Sequence, residues 1–151
     1  MVSKDYEDLL RLFNKHKVRY CIVGAYAVAF YEVPRFTKDI DLFLEANSDN
    51  AKKVITALKE FGFSHPSLSE KDFSKVGKTI QIGYEPIRID LLTSIDGCKF
   101  ETVWKNRKMG VYGKEKTYFI SRDDLVKNKK ASNRKQDQVD IDLLKKKKRN
   151  H

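Results

Sequence analysis

Cysteine, proline and long apolar runs are scarce in this chain, and each scarcity removes a class of protein. Cys21 and Cys98 are the only cysteines. They stand in apolar or mixed runs without CxxC spacing, which argues against a disulfide scaffold or zinc ribbon and for two free, buried thiols in a cytosolic protein. Three prolines among 151 residues exclude collagen-like or low-complexity sequence. No stretch approaches the ~18 consecutive apolar residues of a membrane span. Met1-Val2-Ser3-Lys4-Asp5 runs directly into a charged amphipathic pattern with no secretory h-region, so a cytoplasmic protein without membrane contact is expected. His16, His65 and His151 share no spacing and have no acidic neighbour, and none is assigned to chemistry.

What the chain does have is enough apolar residue for a core, 40% of the total, and a single domain over residues 1–151 is expected. It also has an excess of positive charge. The net charge is +10, and it is uneven. The last 25 residues hold ten lysines and arginines against Asp137, Asp140 and Asp142, which places +7 of the +10 there. Such an end favours polyanionic partners, with residues 145–151 expected as a frayed basic tail.

Hydrophobic periodicity predicts mixed elements. Residues 3–16 form a helix with Ser3 as N-cap and Tyr6, Leu9, Leu10 and Phe13 on one face. Residues 18–23 are a buried strand, 25–33 an apolar helix ended by Pro34, and 39–45 a second strand. A helix follows, with its N-cap at Asn47-Ser48-Asp49 and its stop at Gly62. A short helix is expected over 69–75, strands over 78–84 and 87–93, a helical turn around Trp104, and a small hairpin over 108–112 and 116–120. Ser121 to Asp124 resembles a capping box opening a helix to about Ser132. A last helix runs from about Arg134 to Lys148, with Val139, Leu143 and Ile141 expected inward. The fold class is α/β (α+β), a short mixed β-sheet flanked by helices, with C-terminal helices.

Three aspartates stand on otherwise apolar strands. Asp39 and Asp41 flank Ile40, and side chains at i and i+2 share a face of a strand. Two carboxylates side by side repel by up to ~4 kcal/mol at 4 Å with an effective dielectric of 20, so such a pair usually has a cation between them. Asp90 interrupts the run from Ile87 to Leu92 in the same way. If the two strands are neighbours, three carboxylates meet, an oxygen-rich set suited to Mg²⁺ or Mn²⁺. Upstream, Gly24 and Ala25 follow a strand and open a helix, whose backbone N–H groups can hold a triphosphate.

Gly24-Ala25, then Asp39-Ile40-Asp41, then Asp90 on a later strand, resembles the DNA polymerase β-like nucleotidyltransferases. Arg35, Thr37, Asp39 and Asp41 form an Arg-x-Thr-x-Asp-x-Asp run. Asp124, Leu125, Lys129, Arg134 and Asp137 match a late segment of the form Asp-Leu-x-x-x-Lys…Arg-x-x-Asp. Both are similar to small single-domain prokaryotic members of the abortive-infection toxin type. The resemblance implies the nucleotidyltransferase fold and two Mg²⁺ (or Mn²⁺) ions. Asp39 and Asp41 would bind both ions, and Asp90 would bind one of them and assist deprotonation of the acceptor. It further implies nucleotide contacts at Gly24, Ala25, Arg35 and Thr37, an NTP substrate such as ATP, and an antitoxin partner protein for a toxin member. Ala25 departs from the usual glycine or serine and leaves only a backbone N–H for phosphate.

Lys129, Lys130 and Arg134 are candidate nucleotide-binding residues, with Lys130 and Arg134 on one helix face if the helix continues through Asn133. The expected activity is transfer of a nucleoside monophosphate from an NTP to a hydroxyl acceptor, RNA or tRNA or protein. The alternatives are a non-catalytic nucleotide- or RNA-binding module, an antibiotic-type small-molecule nucleotidyltransferase, and a metal-dependent phosphoryl-cleaving enzyme. A cationic drug would prefer a more acidic surface than this one.

Overall fold

The described strands are short, and the central one is buried through its aromatic and β-branched residues Tyr20, Ile22 and Val23. A computed structural model describes residues 3–32, 39–84 and 87–149; Arg35 and Thr37 lie outside them. In chain order the elements are α1 (Lys4–Lys15), β1 (Tyr20–Val23), α2 (Gly24–Tyr31), β2 (Asp39–Leu44), α3 (Ser48–Phe61) and α4 (Lys71–Ser74). There follow β3 (Thr79–Tyr84), β4 (Ile87–Leu92), α5 (Phe100–Asn106), β5 (Lys108–Tyr112), β6 (Glu115–Phe119), α6 (Arg122–Ser132) and α7 (Lys135–Arg149).

Among the described residues the strands form one six-stranded sheet in the order β3-β4-β2-β1-β6-β5. β1 pairs antiparallel with β2 and parallel with β6, while β2 pairs parallel with β4. The sheet is therefore mixed, as expected. All four residues of β1 are buried, as a strand covered on both faces requires. In β2 the pattern alternates: Ile40 and Leu42 are buried, and Asp39 and Asp41 are half-buried.

The helix caps follow the local sequence. Ser3 accepts from the Tyr6 N–H, Asn47 from the Asn50 N–H and Ser121 from the Asp124 N–H. Gly62 closes α3 in the left-handed conformation at φ 100°. Phe73 anchors the one turn of α4 in the core.

Two expectations about the C-terminal helices fail. α6 does not continue through Asn133, which sits left-handed at φ 52° and turns the chain, so Lys130 and Arg134 lie on different helices. In α7, Val139 and Leu143 are 53% and 41% exposed, whereas Ile141 and Leu144 are buried. The helix is rotated because Asp137 and Asp140, both fully buried, share the inward face. α7 runs to Arg149.

This phase is measurable. Leu144→Ala should lower unfolding free energy by about 2–5 kcal/mol, while Leu143→Ala, one residue away, should stay within about 0.5 kcal/mol of wild type. Urea denaturation of the two variants distinguishes them; equal losses would contradict the observed rotation.

Candidate active site

The register of three neighbouring strands brings the predicted aspartates to one end of the sheet. Asp41 faces Val23 across the β1–β2 ladder and Asp90 across the β2–β4 ladder. Asp39 faces Arg88 one pleat earlier. Because the ladder is parallel and the side chains alternate, Asp39, Asp41, Arg88 and Asp90 share one face.

Gly24 is required where it stands. Its φ is +70°, and a Cβ there would collide with Asp41 Oδ2. The carboxylate thus lies directly against the glycine that opens α2, and any larger residue would displace it. Ala25 follows within the first turn of α2.

Arg88 supplies positive charge among the carboxylates. Its Nη2 lies 3.2 Å from Asp90 Oδ2 and 3.7 Å from Asp39 Oδ2, and Nε lies 3.4 Å from Asp90 Oδ1. Its backbone is held by Tyr6 of α1: the Tyr6 hydroxyl donates to the Arg88 carbonyl at 2.8 Å and accepts from the Arg88 N–H at 3.2 Å. Sequence periodicity alone gives Arg88 no role and places Tyr6 on the core face of α1. The available signal was Arg88-Ile89-Asp90, which repeats the i, i+2 spacing of Asp39-Ile40-Asp41.

The fold and the carboxylate geometry can be set beside known proteins. A family model described as nucleotidyltransferase of unknown function (DUF6036) matches residues 2–146. The chain belongs to this nucleotidyltransferase family. Among solved structures, a lincosamide antibiotic adenylyltransferase with lincomycin bound superposes with a TM-score of 0.58 at 20% identity, over 95% of this chain and 97% of its own. An antigenic nucleotidyltransferase-like protein from Paracoccidioides brasiliensis does so with a TM-score of 0.55 at 14% identity, over 97% of this chain and 77% of its own. These two likenesses concern the fold. No curated protein matches. As a family member the chain is a nucleotidyltransferase, and the question becomes which of its groups serve that chemistry.

Beside the carboxylates lies a cleft of about 370 Å³ whose walls include Gly24, Asp41, Lys129, Ser132 and Arg134. α6 and α7 form one side of it. Lys129 is buried, and its ammonium lies 3.2 Å from both Asp137 Oδ1 and Asp140 Oδ2. Asp137 accepts further bonds from Ser132 Oγ at 2.6 Å and from Arg134 N and Nε at 3.1 and 2.9 Å. Burial alone would raise its pKa, but these donors win and hold the carboxyl well below the usual range. Of the three late basic residues, Lys129 and Arg134 therefore reach the cleft, both tied to Asp137. Lys130 is exposed and is not among the walls of that cleft.

Asp41 shows the opposite behaviour. Burial first, then the charge and hydrogen bonding of Asp90, push its carboxyl up to about 7, against a partial offset from Lys129. Among the described residues no three carboxylate, imidazole or thiol groups stand together at metal-binding spacing; Arg88 bridges Asp39 and Asp90. The donor set itself, three carboxylates with Asp41 seated on a glycine, fits an oxygen-preferring divalent cation in chemistry and in charge.

Two stability outcomes follow. Asp41 takes up a proton more readily folded than unfolded, so its contribution is full below its ordinary 3.8 and is lost as pH rises toward about 7. Without added metal, wild-type stability should fall by up to about 4 kcal/mol across that window. Asp41→Asn should flatten the dependence and gain stability at neutral pH, as read by thermal melts in a pH series. Asp137 adds no slope there, because its depressed pKa costs stability only at lower pH. Separately, Lys129→Met strands two buried carboxylates and should cost about 3–5 kcal/mol, with partial recovery in Lys129→Met/Asp140→Asn; chemical denaturation of both reads this.

Proposed function

We propose that this nucleotidyltransferase moves a nucleoside monophosphate from an NTP to a hydroxyl acceptor, with Asp39, Asp41 and Asp90 as its metal-binding carboxylates. The observation that carries this reading is the alignment of Val23, Asp41 and Asp90 across three adjacent strands, with Gly24 directly against Asp41 and Asp39 on the same face. Two divalent cations bound there would stabilise both the attacking and the leaving oxygen of an in-line phosphoryl displacement.

The chain's own groups have separable tasks. Gly24 and Ala25 offer backbone N–H groups at the start of α2, where the helix dipole favours a phosphate. Arg134, 72% exposed at its side chain, keeps one face on Asp137 and presents the rest of its guanidinium to the cleft. Lys129 adds positive potential behind Asp41 without leaving its buried partners. Asp90 takes the proton of the acceptor hydroxyl as that oxygen attacks the α-phosphorus. The bond from the α-phosphorus to its bridging oxygen breaks, and pyrophosphate departs. Arg88 balances the carboxylates in the absence of substrate, and it is the cation placed to re-pair with phosphate once they are otherwise neutralised.

An RNA or protein hydroxyl suits the acceptor role better than a cationic small molecule, since the chain carries a net charge of +10. Incubation with Mg²⁺ and α-labelled NTPs against total RNA and protein tests the reading. Label transfer with pyrophosphate release is expected, falling at least ~10³-fold in Asp39→Asn and Asp90→Asn. Transfer that persists unchanged in either variant overturns it, and phosphate release without label transfer points to phosphoryl cleavage.

A further inference from the structure

A second cleft, of about 730 Å³, opens at the other end of the strands and has no part in the chemistry described above. Lys17, Arg19, Lys53, Lys114 and Lys116 line it, and Glu115 is the one acidic residue among its walls. They come from four separate places: the turn after α1, the start of β1, α3 and the β5–β6 hairpin. Among the described residues Lys17, Lys114 and Lys116 form no ion pair, whereas Arg19 lies 3.4 Å from Glu45 and Lys53 3.1 Å from Asp49.

The floor is aromatic. Trp104 and Tyr118 meet edge to face with centroids 5.2 Å apart, and the exposed Met109 extends the surface. The Arg107 guanidinium lies 3.7 Å from the Trp104 ring centre and 4.9 Å from that of Tyr118, and Arg19, itself in the cleft wall, lies 5.5 Å from Trp104. Lys17 occupies a left-handed position at φ 57° in the turn that closes α1, with Lys17 N donating to Asn14 O and Val18 N to Phe13 O.

We infer that this cleft binds a single-stranded polynucleotide. Compact ammonium groups on a concave rim suit successive phosphates, and aromatic and thioether surface on the floor suits base faces. A duplex would meet the rim with its phosphates but could not lower bases to the floor. An acidic protein segment would use the lysines and leave the aromatic floor without a matching partner. The site stands apart from the transfer reaction: β1 alone, about 13 Å long at 3.3 Å per residue, separates Arg19 from Gly24.

The test uses fluorescence anisotropy with labelled oligouridine and oligothymidine of about ten nucleotides, and oligoglutamate of matching charge. Lys17→Glu/Lys114→Glu/Lys116→Glu should weaken polynucleotide binding at least ~10-fold and lower the magnitude of the log affinity–log salt slope by about 2. Lys71→Glu/Lys75→Glu/Lys78→Glu, exposed lysines away from the cleft with the same change in net charge, should shift affinity less than ~2-fold. Circular dichroism checks folding, and Lys114→Gln/Lys116→Gln is the milder variant if the reversal triple does not fold. Tighter binding of one strand type names the natural nucleic acid. Equal losses in the two triple variants, or oligoglutamate binding as tightly as either strand, overturns the inference. The anisotropy measurement needs neither NTP nor divalent metal, so a failed transfer reaction and a failed binding site give different results.

Discussion

Negative charge that the fold must hold together is the constraint on which the rest depends. Three carboxylates at one end of the sheet repel by several kcal/mol if all are ionised, and the surrounding residues are arranged against that cost. Arg88 spans Asp90 and Asp39, whose side chains are 12% and 32% exposed. Solvent screening at Asp39 makes that contact the more modest of the two. Among the described residues Asp41 has no such bridge. It is half-buried against a glycine that offers no side chain, with Lys129 acting on it through space. Its affinity for protons therefore rises, as expected of a group whose compensating charge must come from outside the chain.

The same electrostatics explains an irregularity in α7. A helix normally turns its most apolar stripe inward, and Val139 and Leu143 would have been that stripe. Instead Asp137 and Asp140 are buried, because Lys129 descends from α6 to meet both and Ser132 and Arg134 complete the shell around Asp137. A buried carboxylate with this many donors is tolerated, and once it is inside, Ile141 and Leu144 must follow on its face. The network joins α6 to α7 across the left-handed Asn133, which fixes the wall of the cleft beside Asp41.

This divides what could be read from sequence from what could not. Asp39, Asp41 and their shared face were legible because a strand projects side chains with period two, and Gly24 was legible because a glycine after a buried strand marks a turn. Asp90 was legible as a polar interruption, but its partner was not. Only the β2–β4 pairing reveals that Arg88 faces Asp39, and strand adjacency is set by the whole fold. The phase of α7 was misread because apolar periodicity scores each residue alone, whereas Asp137 is buried on account of Lys129, eight residues earlier. The basic cleft was invisible for a related reason. Lys17, Lys53 and Lys116 lie far apart in the chain, so no local run of charge announced them, while the ten basic residues near the C-terminus drew the eye.

The two clefts make most physical sense together. A carboxylate cluster attracts a cationic substrate directly and repels a polyanionic one until its charge is neutralised. A cationic acceptor would need no remote anchor. A polynucleotide would, because its phosphates are unwelcome beside Asp39, Asp41 and Asp90, and binding energy gained away from the reacting atoms must offset that repulsion. A rim of five cations at the opposite end of the same strands supplies attraction of the right sign and at enough distance to leave the carboxylates free for chemistry. On the proposed reading of the two clefts, the separation of charge along β1 favours a large anionic acceptor over a small basic one.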